Sequence, residues 1–354
     1  MTWSVDIWPS LQQIHERFEP LFADAGDSSL FAGKDWWALL EKHGFPDKQT
    51  TAYVAIERDN KPIMVCPLRH PALGEPGAWR SLSNYYSHSY APLLAKGEAP
   101  EKLQRAFCEL GKAVLSKGSP YPSLCLDPIW NQGNWAAPAL RGLKAAGFAT
   151  SWTEVDETWS INVIDMQPAQ YYQQLPGKLR NTIERKTQQA EARGPINLEL
   201  ALDSSHALEL VPLFEQVYAA SWKQEEPDPS FISEFANLCA ERDALRIGIL
   251  LLDDEPIAAQ LWVTEHDDTA ILYKLAHDGA YDSLSPGTLL TWHMIEALLT
   301  TDSLHHLNFG RGHEGYKRHW IPSRQSLYRL QAFRLTSPKG LAAYGTTKWR
   351  QMFR

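Results

Sequence analysis

Residues 245–290 run LRIGILLLDDEPIAAQLWVTEHDDTAILYKLAHDGAYDSLSPGTLL. Three apolar segments, Leu245–Leu252, Pro256–Thr264 and Thr269–Ala276, are separated by Asp253-Asp-Glu255 and Glu265-His-Asp-Asp268. Short polar links between strand-like runs predict hairpins, so the stretch reads as an antiparallel meander. It leads into Leu284-Ser-Pro-Gly-Thr-Leu-Leu290 and then a helix whose buried side is marked by Leu290, Met294, Ala297 and Leu298. A fourth strand, Leu304–Phe309, delivers Asn308-Phe-Gly-Arg-Gly-His-Glu-Gly-Tyr-Lys-Arg-His-Trp320. In that mixture, Phe309 and Trp320 suit a core anchor, while Gly310 and Gly312 suit a backbone that turns sharply into a short helix.

Outward from this centre, strands and helices alternate. Ile196–Leu202 reads as a strand; Leu210, Phe214, Val217 and Tyr218 form one helix stripe, and Pro227-Asp-Pro229 opens another helix through Ala240. Leu175–Gly194 is a mostly polar helix stopped by Gly194-Pro195. Its Lys178, Arg180, Arg185, Lys186 and Arg193 outnumber Glu184 and Glu191, which fits either a solvated face or a basic rim beside a polyanion. Further upstream, a helix begins near Asp35, and Thr51–Glu57 and Pro62–Leu68 flank a polar turn as a hairpin. Ser81–Pro92 has no helical period, whereas Leu103, Phe107, Leu110 and Val114 do. Pro120–Asp127, Ala136–Ala146 and Thr153–Val163 follow as strand, helix and strand. Tyr328–Leu335 reads as the last strand, and the basic, aromatic tail 348–354 as a docked helix or a weak peripheral membrane contact. The fold class expected is mixed α/β (α+β). The pattern breaks at Asp165–Pro168, which divides the chain into domains 1–164 and 165–354.

A length of 354 residues with 44% hydrophobic content suits two ordinary cores. The net charge of -8 argues against a surface that coats DNA. Cys66, Cys108, Cys125 and Cys239 are dispersed and read as buried thiols in a reducing compartment. The opening residues lack a secretory pattern and no apolar run is long enough for a bilayer, so a soluble cytoplasmic protein is expected. His305, His306, His313 and His319 do not form a His-Glu-x-x-His motif, and no metal is expected. The serine-hydrolase elbow, the phosphate loop and the dinucleotide fingerprint are absent as well.

Ser285-Pro286-Gly287-Thr288 places a helix N-terminus after a strand, where amide groups and the helix dipole suit a phosphate; the same residues also make an ordinary cap. Together with Tyr273-Lys-Leu-Ala-His-Asp278 and 309–320, this stretch resembles the C-terminal signature of CelD-like proteins. These are a branch of the GNAT acyltransferase superfamily, related to Fem-type peptidyl transferases. The resemblance, strongest over 165–335, implies two tandem GNAT-like domains, each a mostly antiparallel sheet flanked by helices, with the first degenerate. It implies transfer of an acyl group, acetyl in the first instance, from acetyl-CoA or another acyl-CoA to an amine of a sugar, amino acid or envelope polysaccharide precursor.

On that resemblance Ser285, Pro286, Gly287, Thr288 and Lys274 would hold the donor. Tyr316 would protonate the leaving thiolate, and His277 or Asp278 would serve as base. Arg311, Glu314 and Lys317 would meet the acceptor, although each of these side chains also has an ordinary structural reading. Two alternatives stand beside this one. A Fem-type ligase would draw on aminoacyl-tRNA, but 168–194 offers one ordinary helix where that family has a long hairpin. A catalytically silent binding protein would account for Asn308 and His313, where the family carries acidic residues.

Overall fold

The computed structural model describes residues 2–45, 50–130 and 133–352. They form two compact units, Met1–Asp156 with Ser326–Arg354, and Glu157–Gln325.

The first unit contains strands β1 (Trp3–Trp8), β2 (Thr51–Arg58), β3 (Lys61–Arg69), β4 (Trp79–Ser81), β5 (Leu93–Leu94) and β6 (Ser123–Trp130). The expected hairpin is β2–β3, turned by Asp59 and Asn60 at φ 49 and 62. Both values are left-handed, as the favoured two-residue hairpin turn requires. Helices α1 (Glu19–Gly26), α2 (Lys34–His43), α3 (Pro100–Val114) and α4 (Ala136–Ala145) supply the helical layer. The α3 stripe Leu103, Phe107, Leu110 and Val114 is buried as its spacing predicts. Strand β1 escaped the sequence reading, although Trp3 to Trp8 pair antiparallel with Arg58 to Tyr53.

Two longer elements, β7 (Ala149–Asn162) and β13 (Arg324–Phe333), carry residues of both units. The last strand therefore begins earlier than the expected Tyr328 and stops at Phe333. Residues Leu327–Phe333 pair with β6 from Trp130 back to Ser123. Backbone pairing thus groups 326–354 with the first unit, whereas their position in the sequence assigned them to the second half. The tail forms α11 (Pro338–Met352), whose Tyr344 packs edge-on against Phe333 at 5.5 Å.

The second unit is a sheet in the order β7-β12-β11-β10-β9-β8. Its strands are β8 (Ile196–Ala201), β9 (Leu245–Leu252), β10 (Glu255–Thr264), β11 (Thr269–His277) and β12 (His306–Arg311). Strands β9 to β11 are the antiparallel meander expected, and β8 pairs antiparallel with β9. Helix α9 (Pro286–Thr301) then crosses over, so β12 lies parallel to β11. One face of the sheet packs Leu250, Leu252 and Trp262 against Leu290, Met294 and Leu298 of α9. Gly248 sits in that face because a Cβ there would stand 2.4 Å from Met294 Sδ. Helices α5 (Pro168–Gln174) and α6 (Gly177–Glu191) precede the sheet; α5 was not anticipated. Helices α7 (Ser204–Ala219) and α8 (Phe231–Ala240) complete the layers, and the short α10 (Lys317–Trp320) follows β12.

Candidate active site

The site forms where β11 and β12 part. Their parallel pairing runs only from Thr269/His306 to Ile271/Asn308, while β11 continues to His277. Between β10 and β11 the register shifts, Leu261 facing Lys274 and Trp262 facing Leu272, so Tyr273 has no opposite number. Such a bulge bends a strand and ends pairing. On the other side, Gly310 and Gly312 turn the chain at φ 66 and 117. The fully buried Asn308 holds this turn, its Oδ1 accepting from the Gly310 amide at 2.7 Å and from Thr158 Oγ1 at 2.9 Å. Trp159 Nε1 donates to the Gly312 carbonyl at 3.1 Å. Phe309 and Trp320 are buried, with Phe309 edge-on to Trp262 at 5.8 Å, so both aromatics anchor the segment as expected.

A cleft of about 570 Å³ opens there, lined by Leu179, Trp222, Leu275, His277, Asp282, Ser285, Gly287, Thr288, Thr291, Tyr316, His319 and Trp320. The first turn of α9 forms one wall. Ser285 caps it in the left-handed region at φ 52, without a side-chain capping bond. Its carbonyl accepts from the Thr288 and Leu289 amides. Pro286 occupies the first helical position, where a missing N–H costs nothing. A buried polar chain fixes this turn on the sheet: Trp262 Nε1 donates to Gln260 Oε1, Gln260 Nε2 to Thr291 Oγ1, and Thr291 Oγ1 to the Gly287 carbonyl at 2.7 Å.

Five of the residues singled out in the sequence therefore meet in the cleft: His277, Ser285, Gly287, Thr288 and Tyr316. His277 Nε2 lies 2.8 Å from Asp282 Oδ1, and its ring lies 4.4 Å from that of Trp222. The buried Nδ1 has no partner among the described residues. Burial and then the Glu314 carboxylate push the Tyr316 phenol above its ordinary pKa, while the ring as a whole stays 38% exposed. Asp278 instead accepts from the Ala280 amide at 2.8 Å, capping the 3-10 turn Gly279–Leu284.

Lys274 is not among the cleft-lining residues. It pairs with Glu226 beneath the Tyr218 ring, 5.4 Å from its centroid. Burial lowers its pKa against the opposing pull of Glu226. Lys317 is buried; its Nζ donates to the Arg311 carbonyl at 2.5 Å and meets Glu314 at 2.9 Å. These contacts build the turn that presents Tyr316. Arg311 itself sits at the end of β12, opposite Thr158.

Sequence reasoning missed Trp222, Asp282, Gln260 and Thr291, which show no period or motif. It left the role of the α6 cations open. Two of them tie the helix to the 3-10 turn: Lys186 donates to the Ser283 carbonyl, and Arg193 lies 4.9 Å over the Tyr281 ring. Lys178 and Arg185 are exposed. Among the described residues, no three His, Cys, Asp or Glu side chains gather as metal ligands, and no helix is long and apolar enough to cross a membrane.

Residues 177–318 match the model of the acetyltransferase (GNAT) domain family Acetyltransf_6. No curated protein sequence matches the chain. Among solved structures, FemX is similar at 12% identity and TM-score 0.55, covering 93% of this chain and 97% of that one. A tandem GNAT protein from the clavulanic acid biosynthesis pathway is similar at 12% identity and TM-score 0.52, over 92% and 98% of the two chains. L-PGS from Bacillus licheniformis is similar at 11% identity and TM-score 0.51, over 95% and 96%. At such identities the likeness is one of fold, and the fold is the tandem GNAT architecture. The matched segment contains the meander, α9 and β12 with the cleft between them, and this chain accordingly carries an acyltransferase domain of the GNAT type.

Proposed function

We propose that the protein is an N-acyltransferase that moves an acyl group from acetyl-CoA, or another acyl-CoA, to an amine of a sugar, amino acid or envelope polysaccharide precursor. The observation that carries this reading is the shared cleft: the first turn of α9 and the Tyr316 phenol line one cavity at the parting of β11 and β12. The CelD-like affiliation rests on the motifs at 273–278, 284–290 and 309–320. A cytoplasmic setting is supported by four buried, free cysteines.

The donor's phosphates suit the start of α9. Gly287 has no side chain to bar the approach, and its amide has no partner among the described hydrogen bonds. The amine nitrogen attacks the thioester carbonyl, the C–S bond breaks, and the thiolate takes the Tyr316 proton. His277 receives the proton released by the amine, since Asp282 holds Nε2 and leaves Nδ1 as the acceptor. Asp278 and Lys274 enter this scheme as support for the turn and the sheet face, outside the cleft lining.

Titration calorimetry with acetyl-CoA, longer acyl-CoAs and free CoA tests the reading. Saturable binding of about micromolar strength is expected, and the absence of binding to every CoA species would overturn it.

A further inference from the structure

The loop after α7 holds a charged group, Lys223, that the acyl-transfer scheme leaves unused. Trp222 covers His277 at the cleft, and the next residue is Lys223. The Lys223 ammonium lies 5.9 Å from the Tyr218 ring centroid and 5.8 Å from that of Trp222. Four other charges act on it: Lys274, Glu314, Glu226 and Lys317. These four are already matched in pairs, Lys274 with Glu226 and Lys317 with Glu314 at 2.9 Å. Lys223 has neither an ion pair nor an ammonium hydrogen bond among the described residues, and its Nζ is not sealed from solvent. Burial, with Lys274 beside it, lowers its pKa. A half-buried cation next to a reaction cleft, with both carboxylates that act on it paired to other lysines, offers a place for an anion.

We infer that Lys223 binds a carboxylate of the acceptor, so that the acceptor is an amine that also carries an acid group. This rests on the proposed reading of the cleft as the acyl-transfer site. The donor's phosphates are provided for at the start of α9, which leaves Lys223 to the acceptor. The Tyr218 and Trp222 rings flank the ammonium at 5.9 and 5.8 Å, which favours one anchored end beside them. The Trp222 ring also lies tilted against His277, with centroids 4.4 Å apart, so an acceptor held by Lys223 lies beside the proposed base.

The test measures CoA release from acetyl-CoA with paired amines: β-alanine against ethylamine and L-lysine against cadaverine, which differ by a carboxylate, and muramic acid against glucosamine, which differ by a carboxylate-bearing lactyl ether. At least one acid-bearing member should be turned over with kcat/KM about ten-fold or more above its partner, the scale of one hydrogen bond to a charged group. Lys223→Met should bring that ratio near unity, Lys223→Arg should restore most of it, and acetyl-CoA affinity should be unchanged in both. Equal turnover within every pair, or a ratio that survives Lys223→Met, would overturn the inference. Weakened acetyl-CoA binding in Lys223→Met would overturn it too, by giving Lys223 to the donor's phosphates. If the wild type binds acetyl-CoA but acylates no amine of the panel, the acceptor inference fails while the donor reading stands. If acetyl-CoA does not bind, the reading beneath it fails.

Discussion

Gln260 Nε2 donates to Thr291 Oγ1 at 2.6 Å, and through that bond the first turn of α9 is tied to the middle of β10. Both side chains are buried, and Thr291 passes the connection to the Gly287 carbonyl. Thr291→Val keeps the volume and removes the hydroxyl, leaving the Gln260 amide without its short partner. Urea unfolding should show a loss of about 1–3 kcal/mol. CoA affinity should fall as well, because the turn is no longer fixed.

Gly287 admits a methyl group. A Cβ there meets only His277 Nδ1, at 3.4 Å, an ordinary contact. Gly287→Ala should therefore fold and bind acetyl-CoA nearly as the wild type does. Gly287→Trp should fold but lose saturable binding, which calorimetry reads directly. Equal binding by both variants would move the donor away from α9.

Tyr316→Phe removes the proposed proton donor and leaves the ring. CoA release should slow by about 10²–10⁴-fold, the usual scale of general acid catalysis, with the acetyl-CoA dissociation constant unchanged. An unaltered rate would leave Tyr316 as a lining aromatic.

Glu157 predicts an acid dependence. Burial pushes its carboxyl up, but Arg324 at 2.7 Å and His313 at 3.2 Å outweigh burial and hold the pKa below the usual carboxylate range. The native state therefore binds its proton less readily than the unfolded state. The stability this contributes is complete above the unfolded value of about 4.3 and is lost as pH falls through the depressed folded value. Wild type should exceed Glu157→Gln by about 1 kcal/mol at neutral pH, a modest figure because Arg324 is largely exposed. The two denaturation curves should converge as the pH drops below about 4.

Local chemistry carried the order of the elements. The α3 stripe, the polar turns of both hairpins, the meander and the Ser-Pro-Gly turn each depend on near neighbours, which a single sequence displays. Expectations failed where a distant partner decides the outcome. Strand β1 is six residues whose pairing depends on β2, more than forty positions away. Residues 326–354 join the first unit because β13 finds β6, nearly two hundred positions earlier.

The candidate site divides in the same way. Ser285, Gly287 and Thr288 were legible as a polar turn before a helix, while His277 and Tyr316 were singled out through the resemblance, and the fold brings all five to one cleft. Lys274 was placed with the donor on the resemblance, but the bulge at Tyr273 breaks the strict alternation of strand side chains, and the lysine meets Glu226 instead. Trp222 and Lys223 lie in a loop without period, so only the folded chain reveals that one lies against His277 and that the other has no ion pair among the described residues. The sequence by itself determined most of the strands, helices and turns, since these follow from periodicity and local backbone preference. Tertiary structure alone decided which charges are paired and which remain for a ligand, because pairing depends on distances that only the packed sheet and its helices establish.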